Sequence, residues 1–515
     1  MTRTMARLGP AIWTTALLAL VASMTVTTWR GVPEPAYHDE ASYLLAADTF
    51  LHGRLANPSL PIWQPFETFH VLQQPTYASK YPPAQGIMLA LGSWIVGHPI
   101  AGSWLGGAAM AAAFCWMFAA FLPVRWAFLG AVLATAQAGP ASYWVQGYWG
   151  GCLPAVGGAL LFGAVPRLKR RGRTRDAVWL ALGLVILANS RPFEGLLAGL
   201  LAAGFLLPWF LRRDGGLAGR SARVALPVAL ILLAAGVLMA IYNKAVTGDH
   251  GTMPYSVYEK TASGLPLFIW QEAKAPPEFR HEMQRRFYEE YLLRRYERQQ
   301  SLAGWVAHRR ERLAVAWTFY FGPFLSLLWL ALPWTWRRPG GRMALLGLAL
   351  FLLGSAVTSP LHAHYAAPFA PLVFLLLTMN LRWFAVVLSR WRGWRWWLLP
   401  AVLLIGTAGD RLLRDDPVLR IGKARGATTA KVEIRRFLDN EDGDDLVLMR
   451  YGPAADIHDD WVANGAEPWE QSVIWARSMG DERDQLLAEA LAPRHVWRVT
   501  VGRSKRGEVE LEKFP

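Results

Sequence analysis

The first 43 residues decide how the rest of the chain reads: MTRTMARLGPAIWTTALLALVASMTVTTWRGVPEPAYHDEASY, Met1–Tyr43. Arg3 and Arg7 precede an uninterrupted apolar run, Ala11–Trp29. At about 1.5 Å per residue the run covers roughly 28 Å, enough for the hydrocarbon core of a bilayer. A cleaved signal peptide has a shorter apolar core of about 7–15 residues. The run therefore reads as an uncleaved anchor with its N-terminus on the cytoplasmic side. The Pro-rich, polar stretch that follows, closing on Tyr37-His38-Asp39-Glu40, then lies outside.

Composition extends this reading to the whole chain. Of 515 residues, 53 % are hydrophobic and 18 % charged, with 26 tryptophans, and the mean hydropathy is +0.20. These values exclude a disordered chain, a collagen-like fibre and a disulfide scaffold. The net charge of +15 invites a nucleic-acid reading, but its distribution argues against one. Residues 411–515 hold 17 Lys/Arg and 20 Asp/Glu, so the excess lies entirely in the apolar first 410 residues. A nucleic-acid binder concentrates basic charge on a soluble module. Basic loops between apolar runs mark a multi-pass membrane protein instead. Cys115 and Cys152 lie in apolar runs and supply neither a disulfide framework nor a metal spacing.

Apolar runs recur at about 101–121, 125–140, 151–166, 176–189, 195–211, 224–242, 314–332, 343–358, 367–381 and 396–410. With the first they predict about eleven transmembrane helices. The run Ala84–Gly97 has 14 residues, short for a crossing, and is expected as a re-entrant or juxtamembrane helix. On this register the cytoplasmic segments carry 20 Lys/Arg against two acids, Asp176 and Asp214. The short outer loops 140–150, 189–194 and 359–366 carry one basic residue, Arg191. The opposite register would place the basic run Arg167–Arg175 outside, against the positive-inside rule.

The expected architecture is a polytopic α-helical membrane domain, 1–410, with outer loops at 30–100 and 243–313. A small C-terminal α/β extracytoplasmic domain, 411–515, follows. In the second loop, Phe287, Tyr291, Leu292 and Tyr296 recur at helical spacing, as in a membrane-surface helix or a solvated connecting helix. In the tail, Asp445–Arg450 and His495–Val501 read as strands, and Thr428–Leu438 and Arg483–Leu491 as helices. Asp456–Asn464 reads as an acidic loop, either solvated or acceptor-recognising.

Most of the unusual polar motifs fall on the outer side, at the ends of different spans. Ionisable groups there are functional candidates. Asp39-Glu40 supplies a general base, part of a hard-cation site, or only an acidic first turn for a helix. Lys80, in Ser79-Lys80-Tyr81-Pro82-Pro83, suits a phosphate at headgroup depth or a snorkelling role. Arg191 either pairs with Glu194 or meets a phosphate. Tyr148 and Trp149 stand in Tyr148-Trp149-Gly150-Gly151. His362, His364 and Tyr365 share one loop, where the histidines suit hydrogen bonding to substrate or metal ligation. Asp39, Glu40 and His364 are the metal candidates. A divalent cofactor is therefore one expectation.

An inside N-terminus, one span, an outer loop opening on Asp39-Glu40-Ala41-Ser42-Tyr43, and a later Lys80-Tyr81-Pro82-Pro83 element resemble the GT-C membrane glycosyltransferases. That family includes protein O-mannosyltransferases and the lipid A aminoarabinose transferase, and it uses polyprenyl-phosphate sugars. The resemblance covers residues 1–380 by topology. The Tyr-Trp-Gly-Gly element at Tyr148 and Ser190-Arg191-Pro192-Phe193-Glu194-Gly195 are similar to those of a bacterial subgroup. It implies Asp39 as the base on the acceptor, Glu40 as its support, and Lys80 on the lipid phosphate. Tyr81, Arg191, Glu194, Tyr148, Trp149, His362, His364 and Tyr365 are the remaining substrate-binding candidates. The implied partners are membrane lipid, a lipid-linked sugar donor and a glycan, lipid or protein acceptor at the outer face of the cytoplasmic membrane. Inversion at the anomeric carbon follows from attack opposite the leaving phosphate. A transporter or flippase of lipid-linked sugars is the competing class, although no internal repeat of the kind such proteins show is visible.

Overall fold

A computed structural model describes residues 2–212, 216–274, 277–359, 362–390, 395–414, 426–502 and 508–514. Helix forms over each of the eleven expected runs, though not always as one straight segment. The first eight helices are α1 (Thr2–Arg30), α2 (His38–Leu51), α3 (Ala84–Val96), α4 (Ile100–Phe118), α5 (Val124–Ala138), α6 (Cys152–Arg171), α7 (Thr174–Ala188) and α8 (Pro192–Phe210). Six described helices are long and apolar enough to cross a membrane, and a seventh crossing arises if one bent pair counts as a span. Helices such as α5 and α7, 15 residues each, cover only roughly 22 Å. α5 is mostly buried, whereas α7 packs one side on α6 and exposes Trp179 and Leu182 on the other.

The centre of the bundle is built from α4, α6 and the segment Ala363–Leu388, whose residues are mostly buried. The segment Leu217–Thr247 runs along the edge and exposes Leu230, Leu233 and Leu238. Small residues let the central helices approach closely, as in membrane packing generally. At the α3–α4 crossing, a Cβ added to Gly92 would stand 1.9 Å from the Gly102 backbone nitrogen. The short helix α3 is thereby pinned to α4.

One expected span differs. Residues 314–332 do not form a straight helix; Leu302–Tyr320 and Gly322–Thr335 meet at 99°. Gly322 takes φ +53° and precedes Pro323. Proline disfavours α geometry in the residue before it and suits the first turn of a new helix. Apolar content predicted the helix, and the Gly-Pro step turned it.

Outside the bundle, two sheets stack on α2. Strands β1 (Asn57–Pro58), β2 (Val71–Leu72) and β3 (Thr76–Ser79) form an antiparallel sheet in the order β1-β3-β2. The tail contributes β4 (Asp445–Tyr451), β5 (Val473–Arg477), β6 (His495–Val501) and β7 (Val509–Lys513), in the order β5-β4-β6-β7. β4 runs parallel to β5 and β6, and β7 runs antiparallel to β6. Both faces of β4 are buried, which explains its unbroken apolar run. Leu446 and Leu448 pack on Leu45, Phe66 and Tyr77. Val447 and Met449 belong to a core with Phe69, Tyr258, Phe287 and Trp461. The tail therefore shares its core with the loop 30–100.

Polar contacts set that docking. Arg477 and Asp460 pair at 2.5 Å with side chains only 2 % exposed. Arg477 Nε donates to the Glu67 carbonyl at 2.6 Å, and the Thr68 hydroxyl donates to Asp460 at 2.8 Å. The acidic stretch 456–464 is thus partly a buried joint, with Asp459 and Asp460 both buried. Removing one member of a buried ion pair leaves an uncompensated charge at a cost of about 3–5 kcal/mol. Arg477→Ala is expected to lower the melting temperature of the detergent-purified protein and to expose the tail to limited proteolysis.

Candidate active site

The acid pair divides its two carboxylates between two tasks. Both lie in the first turn of α2, where the helix dipole favours negative charge. Glu40 turns back towards the chain. Its Oε2 accepts the N–H groups of Ala36 at 2.8 Å and Tyr37 at 3.1 Å. Its Oε1 accepts the Tyr148 N–H at 2.8 Å. Glu40 therefore caps its own helix and fastens it to the loop 139–151. Burial pushes its carboxyl up to about 7, opposed by the three N–H groups.

Asp39 points the other way. Its Oδ1 accepts the Tyr81 hydroxyl, and its Oδ2 stands 3.9 Å from His70 Nε2. Burial raises its carboxyl above the ordinary aspartate range, opposed by the Tyr81 hydroxyl, Lys80 and Arg191. Both cations expected from the sequence thus act on this one carboxylate.

Lys80 follows β3 and is buried. Its ammonium pairs with Glu259 at 3.0 Å and lies 4.5, 4.7 and 5.4 Å from the ring centres of Tyr258, Tyr255 and Tyr81. The snorkelling alternative does not describe it. Glu259 also accepts the Ser263 hydroxyl. Tyr81 stacks on Tyr43 at 4.6 Å.

The other sequence candidates form a second, aromatic wall. Arg191, at the N-terminus of α8, lays its guanidinium over Tyr365 at 4.2 Å from the ring centre. Glu194 is buried one turn on. It shares its electrostatic environment with Arg191, yet no ion pair joins the two among the described residues. His362 and His364 stack at 5.4 Å, and Trp149 lies 4.7 Å from His364 and 4.7 Å from Tyr37. His364 Nδ1 is 3.1 Å from the Tyr143 hydroxyl. The Tyr148 hydroxyl donates to the Pro33 carbonyl at 2.9 Å. His250 sits apart on an exposed turn, whereas Tyr255, five residues on, reaches Lys80.

The metal expectation does not fit these residues. Both Glu40 oxygens are taken by backbone N–H groups, and His364 is engaged with Tyr143. Among the described residues no three His, Cys, Asp or Glu side chains gather as a ligand set.

Sequence reading missed His70, Tyr258 and Glu259, and it gave Tyr43 and Tyr255 no role beyond their place in the motifs Asp39–Tyr43 and His250–Tyr255. One signal was present: Tyr255, Tyr258 and Glu259 recur at i, i+3 and i+4, one helical face. His70 carried none.

No protein-family model matches the chain, and no curated protein matches it in sequence. Solved structures do. ArnT from Cupriavidus metallidurans, bound to undecaprenyl phosphate, superposes with a TM-score of 0.52 over 95 % of this chain and 92 % of that one, at 12 % identity. The chain has the GT-C fold. The apo state of the same ArnT gives a TM-score of 0.48 at 13 % identity, covering 94 % and 92 % of the two chains. The archaeal oligosaccharyltransferase AglB from Archaeoglobus fulgidus, in complex with an inhibitory peptide and a dolichol-phosphate, gives 0.46 at 11 % identity, covering 95 % and 69 %. In this GT-C fold the Asp39 turn, Lys80 and Arg191 occupy one end of the helix bundle, beneath the tail.

Two variants separate the tasks of the acid pair. Glu40→Gln turns an amide NH2 towards a backbone N–H, and about 1–3 kcal/mol of stability is expected to go. Asp39→Asn is followed against pH. A carboxyl raised on folding contributes stability below its unfolded value and loses it as pH rises through the folded one. Thermal unfolding is therefore expected to favour Asp39→Asn over wild type increasingly as pH rises above 3.8.

Proposed function

We propose that this protein is an inverting glycosyltransferase. It moves a sugar from a polyprenyl-phosphate donor to an acceptor at the outer face of the cytoplasmic membrane. The observation that carries this reading is Asp39: a carboxylate with one oxygen held by Tyr81 and the other facing His70, in the field of two cations. A transferase of this kind needs both charges in one place. The acceptor proton needs a base, and the departing phosphate needs positive charge.

In the proposed step the acceptor oxygen attacks the anomeric carbon. Its proton passes to Asp39 Oδ2, the carbon–oxygen bond to phosphate breaks, and polyprenyl phosphate leaves with both electrons. The sugar is oxocarbenium-like at the transition state, as in glycosyl transfer generally. Attack opposite the leaving group inverts the anomeric configuration.

Arg191 is the stronger phosphate ligand of the two cations. Its planar guanidinium matches two phosphate oxygens at once, and no described carboxylate pairs with it. Lys80 supplies a second positive charge, shared with Glu259. Glu194 holds Arg191 electrostatically. Trp149, Tyr148, His362, His364 and Tyr365 form the wall against which the sugar lies. Aromatic faces suit the C–H face of a sugar, and imidazole nitrogens suit its hydroxyls.

The test uses the purified protein in liposomes with a panel of undecaprenyl-phosphate-linked hexoses and pentoses, and with gene-deleted membranes as acceptor. Release of undecaprenyl phosphate together with sugar on an envelope acceptor supports transfer. Movement of intact donor across the bilayer without release would support a flippase instead. Asp39→Asn is expected to lower kcat about 10²–10⁴-fold, the range for a lost general base. Arg191→Ala is expected to lower it by about 10²–10³, the cost of one lost charge-stabilising donor. Full activity of purified Asp39→Asn would rule out the assigned base.

A further inference from the structure

Among the described residues, His70 is the only non-glycine with a positive φ, at +64°. Backbone in this region is uncommon and persists only where its surroundings hold it. Three hydrogen bonds hold it here. The His70 carbonyl accepts the Lys80 N–H at 3.1 Å and the Ser42 hydroxyl at 2.6 Å. The His70 N–H donates to the Tyr258 hydroxyl at 2.7 Å. These bonds tie the residue to the segment after β3, to α2 and to the Tyr258 helix together. The turn sets the imidazole against the edge of the shared core, with Nε2 facing Asp39.

The ring is enclosed by His38, Phe69, Tyr81, Tyr258 and Phe287, with centroids 5.8–6.4 Å away. The titratable groups facing it are His38 and Asp39 on α2, Lys80 and Tyr81 after β3, and Tyr258. Nδ1 is buried with no hydrogen-bond partner. Burial, with Lys80 and His38 nearby, holds the imidazole well below its ordinary pKa, so the ring is neutral.

A neutral ring has one proton to place. On Nδ1 it would leave a buried N–H unpaired and turn the Nε2 lone pair towards the Asp39 carboxylate, and like poles would face each other. On Nε2 it leaves a buried acceptor unpaired, the milder penalty, and points an N–H towards the site. Nε2 and Asp39 Oδ2 stand 3.9 Å apart, too far for a direct hydrogen bond. An oxygen atom set to one side of the Nε2–Oδ2 line reaches both at about 2.8 Å.

We propose that this gap is the seat of the acceptor's nucleophilic oxygen, and that His70 selects a hydroxyl-bearing acceptor. The inference rests on the transferase reading above. A hydroxyl has one proton and two lone pairs. The proton goes to Asp39 Oδ2, one lone pair takes the His70 Nε2–H, and the other is left facing the anomeric carbon. A carboxamide nitrogen has no lone pair free to accept from Nε2–H, and it leaves that donor unpaired. The site therefore forms O-glycosidic and not N-glycosidic bonds.

The test pairs two readouts. In gene-deleted cells complemented with each variant, mass spectrometry of envelope glycans reads transfer whatever molecule the acceptor is. In purified protein, undecaprenyl phosphate is titrated and the rise in melting temperature reads lipid binding. Two variants are compared. His70→Asn tolerates the left-handed backbone but is too short to reach the gap. His70→Gln keeps a donor of similar reach. The expected result is an O-linked product and transfer at least tenfold down in His70→Asn. His70→Gln is expected to recover part of it, and the lipid-induced stabilisation is expected to match wild type in both. Wild-type transfer by His70→Asn, an N-linked product, or loss of lipid stabilisation in step with transfer would overturn the assignment. If wild type itself restores no glycan and releases no lipid phosphate, the transferase reading fails first.

Discussion

The site depends on one carboxylate that performs no chemistry in the proposed reaction. Glu40 accepts three backbone N–H groups, two from the turn before α2 and one from Tyr148. Those donors belong to segments more than 100 residues apart in sequence. Without this joint, the acidic turn and the aromatic loop would be separate surface loops. With it, Asp39 faces the Arg191 wall at a fixed distance. The charge is stabilised by N–H donors in a place where an unpaired ion would be costly.

The neighbouring carboxylate gains its properties from the same arrangement. Asp39 is close to Glu40 in sequence but opposite in orientation, so one is consumed by backbone and the other is left outward. Its Tyr81 partner follows β3 directly after Lys80. The residues around it form a chain of dependence: β3 is registered on β2, His70 precedes β2, and Tyr258 clamps His70. The tail presses on the far side of this assembly through Arg477 and Asp460. A domain that looks peripheral in sequence thus buttresses the floor of the site.

Much of the fold was legible because membranes impose blunt rules. A run long enough to cross must be apolar and helical, and Ala11–Trp29 or Ile100–Phe118 satisfies that rule locally. The 314–332 run bends where its hydropathy predicts a straight helix, because hydropathy is blind to a Gly322-Pro323 step. Asp39, Lys80 and Arg191 were legible as polar residues at the ends of apolar runs. His70 was not: it lies in a long polar loop where ionisable residues are common, and nothing local marks it. Glu259 carried only the helical spacing it shares with Tyr255 and Tyr258. His70 matters through its backbone angle and Glu259 through a lysine 179 residues away.

By itself the sequence determined the class of the protein and the residues offered for chemistry. Burial of apolar surface and the asymmetry of basic loops are summed over many residues, and such sums survive without coordinates. Tertiary structure decided which of those residues meet. It turned Glu40 into a joint, bound Asp39 to Tyr81, paired Lys80 with Glu259, and laid Arg191 over Tyr365. It also placed His70 opposite Asp39. Those outcomes rest on single distances of about 3–4 Å between segments remote in the chain, and a linear sequence carries no record of such distances.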